Sequence, residues 1–232
     1  MRKSKRSWTR LILIVLGLVL MTGVAHTAIP PTAPQCFEVD NGSGTVTLPP
    51  ANCKYMNAND IHKVIAGLPA GTEIILAPIH SDFICRRGGP CGAPGGTLGG
   101  EKEVFSSTAV FQATGTGALA GFNRLITIPL NVETHTGPRT PGDPVQSFAT
   151  DMYRLEGGIT GDPDFASLTI IGGTANGHPS PGRTTLTEQS NGTYLVESSF
   201  DITFVIDYVG AGGRLGTYRG RSVEKVTMRA YR

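Results

Sequence analysis

Four acidic residues carry the strongest chemical signal in the chain. Pro141-Gly142-Asp143-Pro144 and Gly161-Asp162-Pro163-Asp164 are two Gly-Asp-Pro turns, and Asp151 lies between them. Oxygen ligands held on rigid turns are the hard donors that calcium selects. The same residue type, paired across a cleft with carboxyl groups about 5 to 10 Å apart, hydrolyses glycosidic bonds. Asp before Pro also has a purely structural use, because its side chain accepts local backbone amides while Pro sets φ. Asp143, Asp151, Asp162 and Asp164 are therefore candidates for turn formation, for calcium or ligand contact, and for paired-carboxylate catalysis.

The other reactive residue types point away from catalysis. Cys36, Cys53, Cys85 and Cys91 form an even set, which in an oxidising compartment reads as disulfides. Of the three pairings that four cysteines allow, Cys36–Cys53 and Cys85–Cys91 are expected, since each closes a loop rich in Gly, Pro and Asn. No Cys-x-x-Cys and no His pair at ligand spacing suggests zinc. There is no Gly-x-Ser-x-Gly elbow. His62, His80, His135 and His178 read as polar surface or turn residues, and His80-Ser81-Asp82 is no triad, because neighbours on an extended chain point to opposite faces. Gly115-Thr116-Gly117 with Gly121, and Gly172-Gly173-Thr174, lack the following helix that a phosphate loop needs. Asn41-Gly42-Ser43 and Asn191-Gly192-Thr193 fit the glycosylation pattern but read as hairpin turns.

The elements that must position these groups are β-strands. With 31 Gly and 16 Pro in 232 residues and 16% charged residues, against roughly 25% in ordinary domains, helix bundles are excluded. Strands are expected at 104–113, 122–132, 147–155, 167–171, 184–188, 194–208 and 218–231, with a small hairpin of 37–39 and 45–48 and a buried strand at 73–79. Seven or more strands at this spacing predict an antiparallel sandwich or barrel. One short helix is expected from Asn59, with Ile61, Val64, Ile65 and Leu68 on one face and Gly67 and Pro69 as its stop. Residues 87–100 form a Gly-rich loop. Two long hairpins echo each other, Ser106 to Phe122 and Ser198 to Tyr218, each with a Gly-x-Gly tip and an inward Leu, at 119 and 215.

Ahead of this domain, Arg2, Lys3, Lys5, Arg6 and Arg10 precede the apolar run 11–21 and the small residues of Thr22-Gly23-Val24-Ala25, a pattern expected of an export signal cut after Ala25. Its removal turns 20 Lys+Arg against 18 Asp+Glu into 15 against 18, a net charge of −3. That balance gives no electrostatic support for nucleic-acid binding. The expected organisation is a signal peptide at 1–25, an extended lead-in at 26–35, and one disulfide-stapled β domain at 36–232. Within that domain, 36–103 is loop-rich and holds the helix, and 104–232 is the β core. No membrane span is expected after cleavage.

The stretches from Thr134 to Phe148, Gly161 to Phe165, Ser180-Pro181-Gly182 with Thr184 to Thr187, and Ser198 to Thr203 together resemble a recurring, functionally uncharacterised β-rich module of exported bacterial proteins. The resemblance covers most of the chain from about Cys53 onward and implies a secreted β domain; it brings no site residues. The expectation is a non-catalytic binding or structural module of the cell envelope or extracellular space, with no cofactor unless calcium. The alternatives are a secreted carbohydrate-active enzyme using paired carboxylates and a calcium-stabilised adhesion module.

Overall fold

The computed structural model describes residues 34–57, 62–64, 66–85 and 91–232. The expected signal peptide and most of the lead-in lie outside the described residues. Alternation of apolar and polar side chains dictates the strands. Along Thr193–Gly210 the even positions from Tyr194 to Tyr208 are all buried on one face, while most odd positions are partly or fully exposed, the period of a strand with one face in a core.

Among the described residues twelve strands form one antiparallel sheet. In chain order they are β1 (Phe37–Val39), β2 (Lys54–Met56), β3 (His62–Val64), β4 (Ile74–Cys85), β5 (Gly92–Pro94), β6 (Glu101–Gly115), β7 (Asn123–Thr136), β8 (Val145–Thr160), β9 (Phe165–Gly172), β10 (Pro181–Glu188), β11 (Thr193–Gly210) and β12 (Arg219–Tyr231). The ladder runs β4-β2-β12-β11-β10-β8-β7-β6, and β6 pairs with β4 again. The pairings therefore return to the strand they started from. Between β8 and β11 two strands share one place: β10 pairs the stretch 194–200 of β11, and β9 pairs 204–210.

The face turned inward carries the core. Phe105, Phe111, Ile128, Leu130, Ile202 and Phe204 belong to the larger apolar cluster. Val46, Leu48, Phe148, Leu186, Tyr194 and Val196 form a smaller one beside the Cys36–Cys53 bond. Segment 44–50 is held over this second cluster from outside the ladder. Arg139 donates to the carbonyl of Val46 at 2.9 Å, and Gln146 donates to that of Gly44 at 2.7 Å.

The two echoing hairpins are present as β6–β7 and β11–β12. Leu119 and Leu215 at their tips are both 0% exposed and join the larger cluster. Gly117 cannot be replaced there: its φ is +55°, and a Cβ would collide with the carbonyl oxygen of Gly71. The tips also touch, since Arg214 donates to the carbonyl of Ala120 at 2.8 Å. Both expected disulfides, Cys36–Cys53 and Cys85–Cys91, are formed.

Two local expectations are corrected. In place of the helix expected from Asn59, His62–Val64 is strand β3, paired with Ile74–Leu76, and Val64 is buried; residues 58–61 and 65 lie outside the described residues. The β-branched residues of this segment suit either period, and the free edge of β4 decides in favour of the strand. Phe37–Val39 likewise does not fold back on 45–48 but joins Thr193–Leu195 of β11. Asp40 accepts the amides of Gly42 and Gly44 in a local turn instead.

Candidate functional site

The structure brings two of the four acidic candidates together. Asp162 and Asp164 both bind the guanidinium of Arg124 on β7, Asp162 at 3.0 Å. The other oxygen of Asp162 accepts the amides of Asp164 and Phe165 at 2.9 and 3.3 Å. Asp143 lies in the turn before β8, where its amide donates to Thr140. Asp151, within β8, accepts the hydroxyl of Thr174 at 2.8 Å. Among the described residues no group of three or more His, Cys, Asp or Glu is placed to hold a metal ion.

A calcium ion at Asp162 and Asp164 would have to displace Arg124. Arg124→Ala, which leaves two part-buried carboxylates facing each other, is expected to lower stability by about 1 to 2 kcal/mol and to make the melting temperature rise with added calcium. Wild-type melting should not respond to calcium; a response that EDTA reverses would show that the ion competes with the guanidinium.

His135, which reads from the sequence as a surface or turn residue, is buried at 2% exposure. Its ring stacks on Tyr153 at 4.0 Å between centroids. Nε2 lies 3.0 Å from a carboxylate oxygen of Glu133, and Nδ1 lies 2.8 Å from the hydroxyl of Thr97. Hydroxyl, imidazole and carboxylate have the connectivity of a nucleophilic relay. However, the backbone amide of Thr97 also donates to Nδ1, at 3.2 Å. That bond assigns the proton to Nε2 and occupies the lone pair a general base would use on the hydroxyl. The arrangement clamps the Gly-rich loop 95–100 to the sheet. His80 is buried too, 2.6 Å from the hydroxyl of Ser107, and burial lowers its pKa to about 4.

Inside the ladder, between the two apolar clusters, runs a polar belt. Tyr55 donates to Ser198 at 2.9 Å, Ser198 and Thr184 share a bond of 2.8 Å, and Thr134 donates to Glu103 at 2.7 Å. Glu103 is 3% exposed, and its second carboxylate oxygen has no hydrogen-bond partner; neither has the hydroxyl of Thr150. Both residues line an interior cavity of about 20 Å³. Burial raises the pKa of Glu103 to about 7, against the opposing pull of Thr134 and Arg139, and Glu101 adds to the rise. Burial raises Tyr55 as well.

A wide opening lies on the outer face. At Arg229–Tyr231 strand β12 pairs with β2, and β1 takes over the edge of β11 at Thr193–Leu195. Strands β11 and β12 splay apart there and leave a groove of about 360 Å³, lined by Arg183, Thr185, Glu197, Ser199, Arg229 and Tyr231. The register sets Arg183 opposite Ser199 and Ser199 opposite Arg229, so the two arginines stand either side of Ser199 in a single cross-strand row. Arg183 donates to Ser147 at 2.9 Å. Among the described residues neither arginine has an ion-pair partner.

No family model, curated protein or solved structure matches this chain. The likeness to an exported bacterial module rests on its turn motifs alone, and the site is defined by its geometry. Arg183, Glu197 and Arg229 do not stand out in the sequence, because the row that joins the two arginines through Ser199 spans β10, β11 and β12, and Glu197 faces Thr185 in the next row. The outward alternation of Arg183 with Thr184, and of Glu197 with Val196, is the local signal that points to them.

Proposed function

We propose that this chain is an exported, non-catalytic binding module whose ligand occupies the groove where β11 and β12 splay, on an antiparallel barrel. The groove carries the reading: it is open, mixed in polarity, and within the size range of small-ligand sites. The return of the pairings to β4 supports a barrel. Its interior is mainly apolar apart from the polar belt, and its outer face mixes polar positions such as Asn131, Thr203 and Lys225 with scattered apolar ones such as Leu125 and Val223, without the continuous apolar band of a barrel that faces lipid. No helix among the described residues is long and apolar enough to cross a membrane. Two disulfides suit an oxidising, extracellular-type compartment, in keeping with the leader read from the sequence. The enzyme and calcium readings have less support, since Arg124 holds two of the four carboxylates.

The test is a screen of immobilised polysaccharides with protein recovered from the periplasm, its mass placing the N-terminus at His26. Ser199→Trp fills the groove from an outward position without touching the core. Wild type should bind at least one polymer, and Ser199→Trp should lose that binding while melting unchanged. Equal binding by both proteins, or none by either, would overturn the reading.

A further inference from the structure

Resting on that groove, we infer that its ligand is an acidic polysaccharide recognised through uronate carboxylates. Arg183 and Arg229 are exposed, and neither has an ion-pair partner among the described residues. Two strand spacings separate their Cα atoms, about 10 Å, a gap that two long side chains close onto one anionic group once Arg183 exchanges its 2.9 Å bond to Ser147 for the ligand. A guanidinium presents a planar fork of donors that matches a planar carboxylate two bonds at a time.

The rest of the lining fits a sugar ring. The hydroxyls of Thr185, Ser199 and Tyr231 donate or accept, the Glu197 carboxylate accepts from ring hydroxyls, and Leu195 adds apolar surface. Glu197 also limits the charge: two cations and one anion leave a single positive excess on a mature chain of net charge −3. That is too little for nucleic acid, which is held by an extended basic track. It suits a polymer with one carboxylate per sugar, threaded through an open groove.

Binding of polygalacturonate, dextran sulfate and neutral dextran by periplasmic full-length protein separates the outcomes. Polygalacturonate should bind, with affinity falling about tenfold or more in Arg229→Ala and in Arg183→Ala, as expected for loss of a charge-assisted pair. Arg229→Lys, which keeps the charge without the fork, should recover only part of the loss. Glu197→Gln should strengthen binding a few-fold by removing a like charge, a gain that a structural role cannot produce. All four positions are exposed or on the outer face, so folding is preserved. Binding of dextran as tight as that of polygalacturonate, still abolished by Ser199→Trp, would keep the groove and overturn the acidic ligand. Preference for dextran sulfate would overturn the carboxylate. Absence of binding to all three polymers would overturn the ligand class, and with no other polymer bound it would overturn the groove as well.

Discussion

Replacing Glu103 by Gln is expected to stabilise the protein by about 3 kcal/mol at pH 8 and by under about 1 kcal/mol at pH 5. Its carboxyl is buried in the polar belt with one oxygen unpartnered, and the folded state holds the proton up to about pH 7, whereas an unfolded Glu releases it near 4.5. Between those two values the folded protein binds more protons than the unfolded chain, so stability falls as pH rises. Gln keeps the shape, can accept from Thr134 as Glu103 does, and carries no charge into the buried belt. The groups around the carboxyl are Glu101, Arg139, Tyr55 and Thr134.

His80 works in the opposite direction. Its folded pKa of about 4 lies below the 6.5 of an unfolded histidine, so below pH 6.5 the unfolded chain gains a proton that the folded protein refuses. Stability is lost as pH falls from 6.5 towards 4. In the wild type the two slopes oppose each other between about pH 4.5 and 6.5, and a nearly flat profile is expected there. Glu103→Gln should uncover the His80 slope. Urea unfolding at a series of pH values reads both effects; parallel profiles for wild type and variant would show that Glu103 is already ionised in the fold at pH 5.

Leu119→Ala and Leu215→Ala are each expected to lower stability by about 3 kcal/mol, within the 2 to 5 kcal/mol that a buried Leu→Ala change costs. Each side chain is fully buried at the tip of a long hairpin, where a Gly-rich turn gives little other means to refill the space. Around them Phe122 and Phe165, and Phe165 and Tyr208, meet edge to face. Because the tips are joined by the Arg214–Ala120 bond, the double variant should depart from the sum of the single ones. Equilibrium unfolding of the three variants measures this. A loss below 1 kcal/mol at either site would mean that the tip closes over the gap.

How much of the molecule is legible in the chain divides along sequence distance. The alternation in 194–208, the Asn191-Gly192 turn, the two inward leucines and both cysteine pairings can be read because each is set by neighbours or by a closed local loop. Segment 61–68 cannot, since its apolar spacing satisfies a helix and its β-branched residues satisfy a strand; the edge of β4, ten residues on, settles His62–Val64. His135 is misleading for a related reason. A polar residue between Thr134 and Thr136 reads as exposed until a distant loop folds over it and Tyr153 supplies a stacking face. The groove is the least legible feature, for it exists only where β11 and β12 part at the open end of their hairpin and β1, from the far end of the chain, takes the freed edge of β11.

The return of the ladder to β4 bears on self-association. A sheet with a long free edge offers any neighbouring chain a row of unmet amides and carbonyls, and such edges seed association. Among the described residues the long strands β6 and β11 meet partners on both sides along their length, β12 takes a second partner only at Arg229–Tyr231, and the pieces that end the pairing, β1, β3 and β5, are three residues each. The return of the pairings to β4 therefore narrows the template that other copies could extend, leaving the stretch 219–228 of β12 as the longest part of it among the described residues.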